Sequence, residues 1–101
     1  MRIPRHKHRL VAFQGYFYAI GGISDRDPVR SCERIRVEDV EEGEWERGVP
    51  DMNRPRKDFA AMVFNGGNNI IVFGHGSKTA VYNNMEVEIF SGDPLNKWST
   101  F

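Results

Sequence analysis

Residues 16–22 read YFYAIGG, an aromatic and aliphatic run from Tyr16 to Ile20 that stops on two glycines, Gly21 and Gly22. Glycine is a poor strand former, so a strand that ends on a pair of them needs a reason in its surroundings. The stretch also recurs. YAIGG (18–22) lines up with IIVFG (70–74), LVAFQG (10–15) with AMVFNG (61–66), and MRIPR (1–5) with MNRPR (52–56). Glu33 aligns with Glu86 and Trp45 with Trp98, the spacing drifting from 51 residues at the first anchor to 53 at the last. Small insertions account for the drift, one at Asn65–Asn69 and one in the loop that follows. The chain therefore reads as two units of about fifty residues, 1–51 and 52–101, and a period of that length is the mark of a repeat architecture.

Within each unit the signals are β. Short runs rich in Val, Ile, Phe and Tyr are separated by Gly, Asn, Asp and Pro, and no helical period is sustained. The first unit predicts strands at Arg9–Phe13, Tyr16–Gly21, Ser31–Glu38 and Trp45–Val49, with a polar loop SDRDPVR at 24–30. The second predicts Phe59–Phe64, Ile70–Gly74, Asn84–Ser91 and a strand opening at Trp98, with a loop over 75–83. Four short antiparallel strands per unit is the expected pattern.

On these residues the sequence resembles the kelch repeat, whose unit forms one four-stranded blade of a β-propeller. The resemblance covers essentially the whole chain and rests on four features in the same order. These are the Gly21-Gly22 doublet, a Glu early in the third strand (Glu33, Glu86), a Trp opening the fourth (Trp45, Trp98), and Met-x-x-Pro-Arg leading into each unit. It implies an all-β fold of two antiparallel blades whose inner strands crowd together, where glycine lets backbones approach and the chain bend. Gly74 aligns with Gly22, so the second unit departs from the pattern in having Phe73 at the first glycine. Closure of a propeller takes roughly four to eight blades. The chain ends at WSTF with the last strand expected to be short, so a piece of a longer kelch protein is the favoured expectation. The alternative is a chain that completes a propeller with its own copies, for example three copies giving six blades.

Chemistry is sparse. One cysteine, Cys32, excludes an internal disulfide framework and reads as a small buried thiol. His6-x-His8 lacks a third ligand, and His75 stands alone in a loop. NGGNN (66 being its first glycine) is a turn, lacking the Lys-Ser/Thr of a phosphate loop. Some kelch-type propellers are enzymes, copper radical oxidases among them, but no Tyr, Cys and His ligand set is reproduced; no enzyme and no cofactor are expected. Net charge is +0, yet the charge is patterned. Arg2, Arg5, His6, Lys7, His8 and Arg9 make a basic start, while Glu38, Asp39, Glu41, Glu42, Glu44 and Glu46 cluster at the turn between the predicted third and fourth strands. Both read as solvated regions, with pairing of adjacent chains or blades as the sharper alternative. Nucleic-acid binding is disfavoured, since the basic stretch is short and no aromatic platform interleaves with it. No apolar run is long enough to span a bilayer and no signal-peptide core follows the basic start, so a soluble, cytoplasmic chain is expected, with the nucleus as alternative.

What the resemblance implies for function is a protein or peptide partner held by loops at one mouth of the propeller; the alternative is a structural or remnant propeller fragment whose main role is self-assembly, with no ligand of its own. The family's commonest use is as the substrate receptor of ubiquitin ligases, beside a BTB or F-box domain, and actin binding is another. The basic position two residues after Pro-Arg falls on Lys7, with Asp58 in the second unit. The loops after the second strands add Ser24, Arg26, Asp27 and Arg30, then Ser77, Lys78 and Tyr82. Arg and Tyr are favoured hot-spot types, and Arg can clamp an acidic side chain with two parallel hydrogen bonds.

Overall fold

The computed structural model describes residues 1–74, 87–93 and 95–100 of the 101-residue chain. Among these residues all the regular structure is antiparallel β apart from one short 3-10 turn. Strand β1 (Arg9–Phe13) turns at Gln14 and Gly15, with φ of 50° and 82°, into β2 (Tyr16–Ile20). Positive φ at both central residues gives a two-residue turn whose twist matches the flanking strands, which is why a short polar residue and a glycine sit there. A small hairpin of β3 (Ile23–Ser24) and β4 (Asp27–Pro28) follows, then β5 (Cys32–Arg36), which pairs with the free edge of β2. The second sheet has the order β6 (Phe59–Phe64), β7 (Asn69–Gly74), β8 (Val87–Phe90) and β9 (Ser99–Thr100).

Three expectations need correcting in the first sheet. The third strand stops at Arg36, because Val37–Asp39 coils into the 3-10 turn. The predicted strand at Trp45–Val49 shrinks to a single bridge, Glu46 exchanging backbone hydrogen bonds with Arg34. Beyond that bridge the chain turns in, burying Val49 in the core and aiming the Pro50 carbonyl at the Trp98 indole N–H, 2.9 Å away. The supposed polar loop 24–30, finally, contains the β3–β4 hairpin.

The two sheets face each other across one apolar core. Phe13, Tyr18, Ile20 and Cys32 from the first meet Phe59, Ile70, Val72 and Phe90 from the second, with Val49, Met52 and Trp98 closing the seam. Phe90 is central: Tyr18 meets it edge-on at 6.0 Å and Trp98 stacks on it at 5.2 Å. Each of these large side chains contributes about 1.5–3 kcal/mol by leaving water.

Each sheet is also tied by the segment that leads into it. Glu33 on β5 accepts hydrogen bonds from the backbone N–H groups of Arg2 and Ile3 and from the Arg5 guanidinium at 2.9 Å. Glu88 on β8 likewise accepts from the Asn53 N–H and from Arg56, also at 2.9 Å. Both ion pairs are almost wholly buried. The counterpart of Glu33 is thus Glu88, two residues past the Glu86 of the sequence alignment; Glu86 itself lies outside the described residues. The glycines shift too. Arg5 donates to the Gly21 carbonyl and Arg56 to that of Gly74, so Gly74 answers to the first glycine of the doublet and not to Gly22.

Candidate interaction surface

The loop after β2 is built from Arg5 outward. Its guanidinium bridges the two ends of the loop, donating to the carbonyls of Gly21 (3.0 Å) and Ser31 (2.8 Å) as well as to the Ser31 hydroxyl and Glu33. A planar five-donor group is the one side chain able to reach all of these together. Gly21 and Gly22 then carry the chain out at φ of 61° and 95°. A Cβ on Gly21 would lie 2.8 Å from the Arg56 carbonyl oxygen and one on Gly22 would lie 2.6 Å from that of His6. Close backbone approach at positive φ is the reason the strand ends on two glycines.

Beyond the glycines the loop is laced to its neighbours by main-chain bonds. Ile23 and His6 exchange hydrogen bonds at 2.8 and 3.1 Å, and Val29 N–H closes on Gly22 at 2.9 Å. On the other flank the linker between the sheets joins in, Gly22 N–H donating to Arg56 at 2.7 Å and Met52 N–H to Arg30 at 2.8 Å. At the tip, Asp25 and Arg26 have φ of 49° and 74°. Both central residues of this hairpin turn are left-handed, a place where Asn-Gly would be relaxed, and a bulky Arg there is strained. Lys7, next to the His6–Ile23 bridge, is left-handed as well at φ 56°, and its counterpart Asp58 matches it at 51°. Left-handed backbone at a non-glycine residue costs about 1–3 kcal/mol.

The basic start therefore divides. Arg5 points inward to its buried ion pair, a correction to the reading of this stretch as uniformly solvated. Arg9 reaches across to the Phe59 carbonyl of the second sheet, and Arg2 donates to the Trp45 carbonyl and lies 3.7 Å from Glu44. His6, Lys7 and Arg26 remain exposed, and among the described residues Lys7 and Arg26 have no ion-pair partner. His8 is half-buried; its pKa is lowered by burial and by the nearby Arg5 and Arg9 charges, which keeps this imidazole neutral to lower pH than usual.

The remaining sequence-predicted residues fall into separate places. Ser24 and Asp27 pair across the β3–β4 hairpin, Ser24 half-buried and Asp27 exposed. Arg30 turns towards the linker, its guanidinium 3.9 Å from Asp51. Trp98 is buried at the seam and Trp45 is half-buried beside Met1 and Arg2. Ser77, Lys78 and Tyr82 lie outside the described residues, as does His75. Cys32 is buried, and burial pushes its thiol up to about 12. Among the described residues no group of three or more His, Cys, Asp or Glu is placed to hold a metal ion. Arg5 and Arg56 are the residues that sequence reasoning passed over; the recurrence of Met-x-x-Pro-Arg was the available signal.

The family model of the Kelch motif matches residues 4–52, just under half of the chain. Residues 4–52 thus carry a Kelch motif. The matched segment contains the Arg5 staple, the glycine doublet, the hairpin and the whole first sheet. The second unit lies beyond it, and its kinship to the first rests on the repeated Arg–Glu staple just described. No curated protein matches the chain. Kelch motifs mediate protein–protein interaction in general, and the antiparallel all-β architecture agrees with a propeller-like fold.

Proposed function

We propose that this chain is a kelch interaction module that receives an acidic peptide segment of a partner protein on the surface formed by Lys7 and the β3–β4 hairpin. The observation that carries the reading is the state of Lys7 and Arg26. Both are exposed, both lack an ion-pair partner among the described residues, and both sit on left-handed backbone that main-chain hydrogen bonds hold in place. A side chain on a rigid loop loses less entropy on binding than one on a floppy loop, and a guanidinium can take a carboxylate with two parallel hydrogen bonds. Within the kelch family the uses that fit such a surface are substrate reception for a ubiquitin ligase and actin binding, and the first is the role we favour. Ser24 and Asp27 would contribute polar contacts at the hairpin, whereas Arg30 is drawn away to Asp51.

The reading is tested by fluorescence anisotropy with labelled Asp/Glu-rich, neutral and Lys-rich peptides of equal length. The acidic peptide should bind best and weaken as salt is raised. Arg26→Ala and Lys7→Ala should each weaken it by about three- to tenfold, about 0.7–1.4 kcal/mol. Equal binding of all three peptides, or unchanged affinity in both variants, would count against the proposal.

A further inference from the structure

Side chains alternate across a strand, so each sheet has a second face turned away from the shared core. On the second sheet that face carries Met62, Phe64, Ile71, Phe73 and Ile89, with Met62 49% and Phe73 36% exposed. On the first sheet it carries Leu10, Ala12, Phe17, Ala19 and Ile35, with Leu10 57% exposed and Ala19 and Ile35 already buried. Of the large apolar residues left exposed, those outside the turns fall on these two flanks, together with Met1 at 47%.

The strand registers show what these faces are. Val11 pairs with Tyr18 in the first sheet as Met62 pairs with Ile71 in the second, and Arg9 with Ile20 as Ala60 with Phe73. The outer face of the second sheet thus puts Met62, Phe64, Ile71 and Phe73 where the inner face of the first puts Val11, Phe13, Tyr18 and Ile20. Conversely, Leu10 pairs with Ala19 as Ala61 pairs with Val72, and Ala12 with Phe17 as Val63 with Ile70. The outer face of the first sheet is therefore the counterpart of the face by which the second sheet packs onto the core. The chain contains one sheet–sheet interface and displays both halves of that interface again on its opposite flanks.

Met1 and Trp45 extend the match. Arg2 bonds to Glu33 and to the Trp45 carbonyl as Asn53 bonds to Glu88 and to the Trp98 carbonyl, which makes Met1 and Trp45 the counterparts of Met52 and Trp98. Met52 and Trp98 are 0% and 3% exposed at the existing interface. Their counterparts are covered less, Met1 being 47% exposed and Trp45 half-buried.

We infer that copies of this chain associate head to tail, the outer face of the second sheet of one copy receiving the outer face of the first sheet of the next. The occupant is a second copy because the interface already present inside the chain joins the equivalent faces in the same register, position by position. Such a contact is heterologous, so it closes into a ring or continues as a filament. Two to four copies would supply the roughly four to eight blades with which propellers close. The contact uses neither Lys7 nor Arg26, so it can fail while the peptide site stands.

The test is light scattering on the whole chain over a concentration series, with Leu10→Glu and Met62→Glu as face-specific variants at exposed positions. Wild type should rise from monomer to a small multiple. Each variant alone should stay monomeric, its association weakened by at least about tenfold through a carboxylate forced into an apolar contact. Mixed one to one, the variants should form a dimer of twice the monomer mass, because each retains the face the other has lost. Circular dichroism checks folding, and Ala12→Lys with Phe73→Lys replace any variant that fails it. A wild type that is monomeric throughout would overturn the proposal and leave these faces to a sheet of some other chain. So would a single variant that associates like wild type, which would mean a face-to-same-face contact, or a mixture that stays monomeric.

Discussion

Met52 and Trp98 lead into and close the second sheet, fully buried; Met1 and Trp45 do the same for the first, and Met1 is 47% exposed with Trp45 only half-buried. The local bonding is alike in the two regions. Glu33 gathers Arg2, Ile3 and Arg5, and Glu88 gathers Asn53 and Arg56. What differs is the presence of a neighbour, since Trp98 has the Pro50 carbonyl of the first unit against it. The staple belongs to the repeat, and the burial belongs to the pair. A unit of this kind specifies its own hydrogen bonding but leaves its hydrophobic side chains to be covered by the next.

The comparison is broken most forcefully at the staples. Glu88→Ala strands the Arg56 guanidinium, 1% exposed at its side chain, without its counter-charge. Removing one partner of a buried pair costs about 3–5 kcal/mol. Glu33→Ala should cost a similar amount through Arg5, and urea midpoints of the two variants measure both. If one costs less than about 1 kcal/mol, that staple is not holding its sheet and the two regions are not alike.

Next come the glycines that the staples grip. Gly21→Ala would drive a Cβ to 2.8 Å from the Arg56 carbonyl and 3.0 Å from Met52, at φ 61°. Backbone strain and overpacking together make about 2–5 kcal/mol. Among the described residues Gly74→Ala meets nothing closer than 3.5 Å, leaving the strain of φ 106°, about 1–3 kcal/mol. Thermal melts of the two variants should rank Gly21→Ala as the worse, and the reverse order would mean that the linker does not press on the first sheet.

The tryptophans give a smaller contrast. Trp98→Phe loses the indole bond to Pro50 and leaves a carbonyl short of a donor, at about 1–3 kcal/mol. Trp45→Phe should stay within about 0.5 kcal/mol, as surface changes do. If self-association covers Trp45, the second figure should grow with protein concentration.

Much of this was legible in the sequence, and the parts that were not have physical reasons. Strands β1, β2, β6 and β7 could be read because apolar runs stop at Gln14-Gly15 and Asn65-Gly66, residues that supply positive φ. The hairpin at 23–28 was hidden because Asp25, Asp27 and Pro28 are turn-formers, and its pairing comes from His6 and Gly22 rather than from strand propensity. Glu88 was missed for Glu86 because a single sequence cannot place the insertion that precedes β8. The staples themselves need tertiary contact: Arg5 looks like one more cation in a basic start until Glu33 and Ser31 are brought to it. Lys7 and Arg26 were named from the resemblance and the polar loop, but their left-handed backbone could not be, since nothing in a lone Lys or Arg announces it.

The last contrast has no effect at neutral pH and separates the regions in alkali. Cys32 on β5 faces the core, and its counterpart on β8 is Val87, so only the first sheet carries a titratable group there. Burial raises the thiol from 9.0 to about 12. The unfolded chain therefore gives up this proton first, and by linkage the folded state loses stability as pH climbs from 9 towards 12, by at most about 1.4 kcal/mol per pH unit. Below pH 9 the contribution is flat. Urea midpoints at pH 8 and 10 should fall further for wild type than for Cys32→Ala, whose neutral-pH stability is lower by the small cavity but whose alkaline slope is reduced. In parallel, the native thiol should react with a disulfide reagent far more slowly than in urea, since thiolate and access are both suppressed. Equal slopes in the two proteins together with fast native labelling would place Cys32 at the surface, and the core would then have to be redrawn without it.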